Sequence, residues 1–75
     1  MPSDFGMQPV EGELLDVSDQ GFRIRYENTP PLFSGQEVHF LLPDSAGLAR
    51  VVWTRVLDGE MESGLRILKS LPIEA

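Results

Sequence analysis

Asp16, Ser18, Gly21, Arg23 and Arg25 stand close together in a stretch that reads as strand, polar turn, strand. Asp16 and Ser18 are two residues apart and so share one face of a strand. A carboxylate in that position can accept two hydrogen bonds from the N1–H and N2–H₂ edge of a guanine, and a serine hydroxyl can donate to a phosphate or accept from an amine. Gly21 permits a positive φ or a close approach of another backbone. Arg23 and Arg25 offer planar, two-pronged contacts to phosphate or carboxylate. The same residues suit a tight hairpin, which is the simpler reading. Asp16 and Ser18 then make Asx- and Ser-type turn bonds, Gly21 is what the turn geometry demands, and the arginines neutralise acids beside them. Residue types and spacing leave both readings open.

Catalytic readings fail on inventory. The one histidine, His39, falls on the polar phase of a strand, and no second histidine is present to activate Ser18. A zinc site needs three or four nitrogen or sulfur ligands, and there is no cysteine to supply them. The acidic stretch Asp58–Glu62 lacks the carboxylate spacing of a calcium loop and reads as a solvated hairpin tip. No glycine-rich loop leads into a helix to cradle a phosphate. The expectation is a protein that is not an enzyme and holds no metal or resident cofactor.

Six Lys and Arg face twelve Asp and Glu in 75 residues, a net charge of −6. A field of that sign repels phosphate backbones and argues against general nucleic-acid or anionic-membrane binding. It leaves room for a small anion held by a local cluster of arginines, and five of the six cations are Arg. No apolar run approaches the ~20 residues needed to cross a bilayer. Met1–Val10 has neither the basic residue nor the apolar stretch of a secretory signal, so the cytoplasm is the default expectation.

The elements that must position these side chains are strands. Phe22, Ile24 and Tyr26 alternate with Arg23 and Arg25, and Val38, Phe40 and Leu42 with Glu37, His39 and Leu41. Turn chemistry separates the runs at Ser18–Gly21, Pro30–Pro31, Pro43–Gly47 and Asp58–Gly59. This predicts strands near 9–17, 21–27, 36–42, 47–57 and 63–69. The adjacent Leu14 and Leu15 break phase and predict a bulge. The strand over 47–57 is apolar on both faces, with Ala49, Val51, Trp53 and Leu57 on one side, and a bend or bulge is possible there too. The predicted core is Phe22, Ile24, Phe40, Val51, Trp53, Leu65 and Ile67. Residues 1–8 read as a flexible arm, 9–69 as the domain and 70–75 as a tail. No helix is expected. A core this thin makes self-association or a partner surface plausible, using Leu14, Leu41 or Val52.

In sequence order these segments resemble the PilZ domain family, bacterial receptors for cyclic di-GMP. Asp16-x-Ser18-x-x-Gly21 matches the family signature D/N-x-S-x-x-G, and Gly21–Ile24 looks like the strand that follows it. Ser34–Val38 resembles the glycine-to-valine start of the next strand, Ala49–Trp53 the family's A-x-V-V-W strand, and Gly64–Ile67 its closing strand, with Ile67 in place of the usual aromatic. The likeness runs over residues 10–68. It implies an all-β fold, a small antiparallel β-barrel of five to six strands, with Asp16, Ser18 and Gly21 as ligand residues.

Ligand-binding members also carry an R-x-x-x-R arm at or before the first strand, whose arginines grip the phosphates and stack on guanine. Residues 1–22 of this chain contain no Arg or Lys. Each charge-assisted bond lost is worth ~1.5–3 kcal/mol. The resemblance therefore implies a regulatory or adaptor module in cyclic-di-GMP or surface-motility signalling. It would act mainly by protein contact, with a protein partner or a second copy, and with weak or no cyclic di-GMP binding. The alternative is a cyclic di-GMP receptor using Asp16, Ser18 and Gly21. Its arginines would come from Arg23 and Arg25, from Arg55 and Arg66, from a second subunit or from an upstream segment.

Overall fold

The computed structural model of the chain describes residues 10–27 and 29–73. Five strands form a single antiparallel sheet: β1 (Gly12–Val17), β2 (Gly21–Tyr26), β3 (Glu37–Leu42), β4 (Ser45–Leu57) and β5 (Glu60–Pro72). The spatial order is β1-β2-β5-β4-β3. The two long strands β4 and β5 make the central hairpin, and the short hairpins β1–β2 and β3–β4 extend it on either side. The expected small antiparallel all-β fold of five strands is present, and its sheet is open. Among the described residues β1 and β3 remain unpaired edges of a curled, open sheet.

Turn chemistry explains the hairpins. Asp58 and Gly59 both have positive φ, 38° and 91°, the mirror-image turn that matches the twist of two joined strands. This lets β5 begin at Glu60. The two-residue turn Pro43–Asp44 lets β4 begin at Ser45, earlier than the glycine at position 47 suggests. β5 runs on to Pro72 because it has β4 to pair with throughout, Ser45 opposing Pro72. Residues 70–72 therefore belong to the sheet rather than to a tail. The predicted arm, 1–8, lies outside the described residues.

The sheet's concave face holds the core. Phe22, Ala49, Val51 and Leu65 are buried, with Ile24, Leu32, Val38, Phe40, Leu42 and Ile67 packed against them. Phe22 of β2 and Phe40 of β3, on strands separated by β5 and β4 in the sheet, meet edge to face with ring centres 5.2 Å apart. The curl is what brings them together, and such a pair adds ~0.5–1.5 kcal/mol beyond its buried area. Six of the seven predicted core residues lie in this cluster.

Trp53 does not. β4 carries a bulge between Val51 and Trp53: Val51 opposes Leu65, but Trp53 opposes Gly64. One extra residue, Val52, reverses the phase of the rest of the strand. Trp53, Arg55 and Leu57 then point to the convex face, while Thr54 turns inward to hydrogen-bond Ser63. The bulge is held in place by the loop before β3. Val51 N–H donates to the Gln36 carbonyl (2.8 Å), Gly35 N–H donates to the Val51 carbonyl (2.7 Å), and Ser34 Oγ donates to the Val52 carbonyl (3.0 Å). The expected bulge in β1 is also present, between Leu14 and Asp16.

Candidate functional site

Cross-strand partners share a face, and neighbours along a strand alternate, so the ladder registers fix what the convex face displays. One row reads Asp16, Arg23, Gly64, Trp53 across β1, β2, β5 and β4. The next reads Glu13, Arg25, Glu62, Arg55. On the other side of the first lies Gly21, Arg66, Arg50, Glu37, reaching β3. Lys69 opposes Leu48, also on this face. All six cations of the chain therefore project from the convex side of the sheet.

A groove of about 310 Å³ opens there, lined by Asp16, Ser18, Gly21, Arg23, Trp53 and Arg66 among others. That volume is at the lower end of the ~300–1,000 Å³ usual for small-molecule sites. A larger hollow of about 420 Å³ lies against the β1–β2 and β3–β4 turns, but it is lined by Asp19 and Asp44 and by no cation, which disfavours phosphates.

The groove's groups are already engaged with one another. Arg23 donates to Asp16 Oδ2 from both Nε (2.8 Å) and Nη2 (2.6 Å). This hydrogen bonding, followed by the Asp16 charge, raises the Arg23 guanidinium above its ordinary pKa. Both side chains remain about half exposed, at 44% and 57%, so the pair contributes little to stability. Ser18 Oγ accepts from the Gln20 N–H (3.2 Å), and the Ser18 N–H donates to the Gly21 carbonyl (2.8 Å). The turn reading of Ser18 is thus realised.

Gly21 has no positive φ. Its role is close approach: a Cβ there would overlap the Leu65 carbonyl oxygen of β5. Gly64 serves the same end for a side chain, since a Cβ there would run into the indole of Trp53, with Cζ2 at 2.9 Å. Trp53 lies over that glycine, and the Arg55 guanidinium sits 5.7 Å from its ring centre, within cation–π range.

Arg25 is drawn away from the groove into an acidic cluster, reaching Glu13 at 3.4 Å, Glu60 at 3.6 Å and Glu62 at 3.7 Å. Arg55 holds Glu62 more closely, at 2.9 Å. Glu62 is buried beneath these two arginines. The hydrogen bond from Arg55 holds its carboxyl below the usual glutamate range, against the opposing effect of burial and with help from the Arg55, Arg25 and Arg23 charges. Glu62 is therefore a buried ion-pair centre, not part of a solvated hairpin tip. The structure gathers Asp16, Ser18, Gly21 and Arg23 at one groove together with Arg66, leaves Arg25 and Arg55 outside it, and adds Trp53. Trp53 was hidden from the sequence reading by the bulge.

The PilZ domain family model matches residues 3–75, and the chain belongs to that family. PilZ domains are cyclic-di-GMP-binding modules of bacterial signalling. No curated protein and no solved structure matches the chain.

Proposed function

We propose that the protein is a non-catalytic, cytoplasmic regulatory module of cyclic di-GMP signalling that holds the dinucleotide weakly in the convex groove and works mainly through protein contact. The observation that carries this reading is the state of Asp16. Its carboxylate, the group suited to a guanine edge, is taken up by Arg23 through two hydrogen bonds. A guanine must displace that guanidinium, and no cation in residues 1–22 stands ready to grip the phosphates. Affinity is lowered on both counts. Contact with a partner protein would use exposed apolar side chains such as Leu41 and Val52, and the open edge of β3.

Calorimetric titration with cyclic di-GMP tests the reading. The expected dissociation constant lies above roughly 10 μM, and Asp16→Ala weakens binding at least tenfold. Submicromolar binding would overturn the claim of weakness. Absence of heat at millimolar ligand would remove the ligand altogether and leave the contact role alone. A second reading, a full receptor with strand-borne arginines, is favoured by one observation: Arg66 lines the groove.

A further inference from the structure

The two edges of the sheet are not alike. β1 carries a bulge between Leu14 and Asp16 and shows Glu13 and Asp16 on the convex side. Such devices keep another strand from adding to an edge. β3 has none of them: Glu37–Leu42 runs without bulge, proline or lysine. The hydrogen bonding fixes which of its backbone groups are spare. The Ile73 N–H donates to the Asp44 carbonyl (3.1 Å), and antiparallel bonding alternates along a strand. Ala46 and Leu48 therefore bond to β5, while Ser45, Gly47 and Ala49 bond to Leu42, Phe40 and Val38 of β3. The Val51 N–H bond to the Gln36 carbonyl (2.8 Å) continues the same alternation. The N–H and C=O groups of Glu37, His39 and Leu41 are left pointing outward from the edge. Leu41 and Leu71, at 77% and 73%, are the most exposed large apolar side chains among the described residues. Both oppose Ala46, so they stand in one convex row that ends at this edge. The one acid of β3, Glu37, is paired with Arg50 at 2.9 Å. The edge is thus locally neutral in a chain of net charge −6, and repulsion between two whole chains is screened beyond ~8–10 Å.

We propose that β3 is the seat of a homodimer: β3 of a second copy pairs antiparallel with it about a two-fold axis at His39, joining the two sheets into one. The inference rests on the reading of the β3 edge as a protein-contact surface and names the partner. A second copy fits for a geometric reason. The axis sets His39 opposite the partner's His39 and Glu37 opposite the partner's Leu41. Every outward group then meets an outward group, and both convex faces stay on the same side. The register is fixed by what lies beyond the spare residues. A slip of the pairing in one direction sets Glu37 against the partner's Pro43, which has no N–H. A slip in the other sets Leu41 against the partner's Gly35, whose N–H already serves the Val51 carbonyl. The contact is isologous, the same edge on both copies, so it closes at two and does not draw on the bulged, acidic edge of β1. A seam this short buries less than the ~1,200–2,000 Å² of a stable interface, so association is reversible, with a dissociation constant of roughly 0.1–1 mM.

The test combines sedimentation with amide hydrogen exchange on the whole chain, from micromolar to millimolar concentration. A monomer–dimer equilibrium is expected. The amides of Glu37, His39 and Leu41 should exchange severalfold more slowly as the dimer fills, whereas those of Val38, Phe40 and Leu42, held by β4, should be protected at every concentration. Leu41→Lys and His39→Lys are each expected to weaken association at least tenfold. Val17→Lys, on the β1 edge, is expected to leave it unchanged. The amide spectrum of each variant reports that the fold is kept. A monomer at millimolar concentration with freely exchanging edge amides would overturn the dimer and leave the β3 edge to a different protein, as the proposed function has it. A dimer that forms without slowing Glu37, His39 and Leu41, or that survives Leu41→Lys, would overturn the β3 seam and move self-association to another surface. Protection at β3 in a chain that binds no cyclic di-GMP would keep the dimer and take the ligand from the proposed function.

Discussion

Replacing the signature glycine by alanine separates its conformational role from its spatial one. Gly21 sits at the first pair of the β2–β5 ladder, opposite Arg66. An added Cβ overlaps the Leu65 carbonyl oxygen and lies 3.2 Å from the Leu65 carbonyl carbon and 3.3 Å from the Arg66 Cα. All three atoms are backbone, so no side chain can rotate out of the way. Relief comes by straining the strands, ~1–3 kcal/mol for an overpacked site. The other route is opening the end of the ladder. That route gives up the bond from the Ile67 N–H to the Gln20 carbonyl (2.8 Å) and its neighbours, each worth ~1 kcal/mol net, and loosens Phe22 in the core. Either route gives about 2–3 kcal/mol. A domain of this size has only roughly 4–11 kcal/mol in total. The melting temperature should fall by roughly 10–20 °C. Urea denaturation followed by Trp53 fluorescence measures it. A Gly21→Ala variant within 0.5 kcal/mol of the parent would refute the close-approach account, since the residue's φ gives alanine no other reason to fail.

Three further outcomes follow from the same geometry. Tyr26→Phe removes the hydroxyl that accepts from the Leu32 N–H (2.8 Å) and bonds Ser63 Oγ (2.8 Å), so chemical denaturation should show a loss of about 1–3 kcal/mol and faster exchange of the Leu32 amide. Gly64→Ala should lift the Trp53 indole off β5, which a change in its emission maximum and a stability loss of ~1–3 kcal/mol would report; an unchanged spectrum contradicts the stacked placement. Glu62 has a depressed carboxyl pKa in the folded state, so its stabilising effect is present above the unfolded glutamate range and is lost as pH falls through the folded value. Glu62→Gln should therefore flatten the acid limb of a stability–pH profile, and an acid limb identical to the parent's would argue against the buried ion-pair centre.

Alternation made most of this fold legible. The strict period of two in Phe22–Tyr26 and Val38–Leu42 assigned β2, β3 and their inward faces, because a six-residue strand with no bulge cannot change phase. Asp58–Gly59 marked its hairpin for an equally local reason, both residues tolerating positive φ. Two things escaped. Barrel closure depends on whether β1 and β3 meet, a long-range matter that neither edge strand encodes locally. The orientation of Trp53 depends on one unpaired residue, Val52, whose carbonyl is satisfied by Ser34 from eighteen residues away. An apolar tryptophan after Ala49 and Val51 continues the core pattern on paper. Only the register against β5 sends it outward.

The charge of the chain misleads in a similar way. A net charge of −6 describes the field at a distance, where contributions sum and salt screens them within ~8–10 Å. A phosphate in the groove feels what lies nearer than that. The ladders place every Lys and Arg on the convex side, and partners for them come as Asp16, Glu13, Glu60, Glu62 and Glu37. Each acid that pairs an arginine subtracts it from the local positive potential, so Arg25 and Arg55 around Glu62 count for little. Arg66 is not subtracted in this way, and on the proposed reading Arg23 would become available if a guanine edge took Asp16. The same displacement that would cost a salt bridge would then release a cation beside the groove. Arg23→Gln would therefore free Asp16 for a guanine edge and at the same time remove a cation, two effects of opposite sign, so it should weaken cyclic di-GMP binding less than Arg66→Gln does. A loss on Arg23→Gln as large as that on Arg66→Gln in a cyclic di-GMP titration would show that the hold of Arg23 on Asp16 costs the ligand nothing.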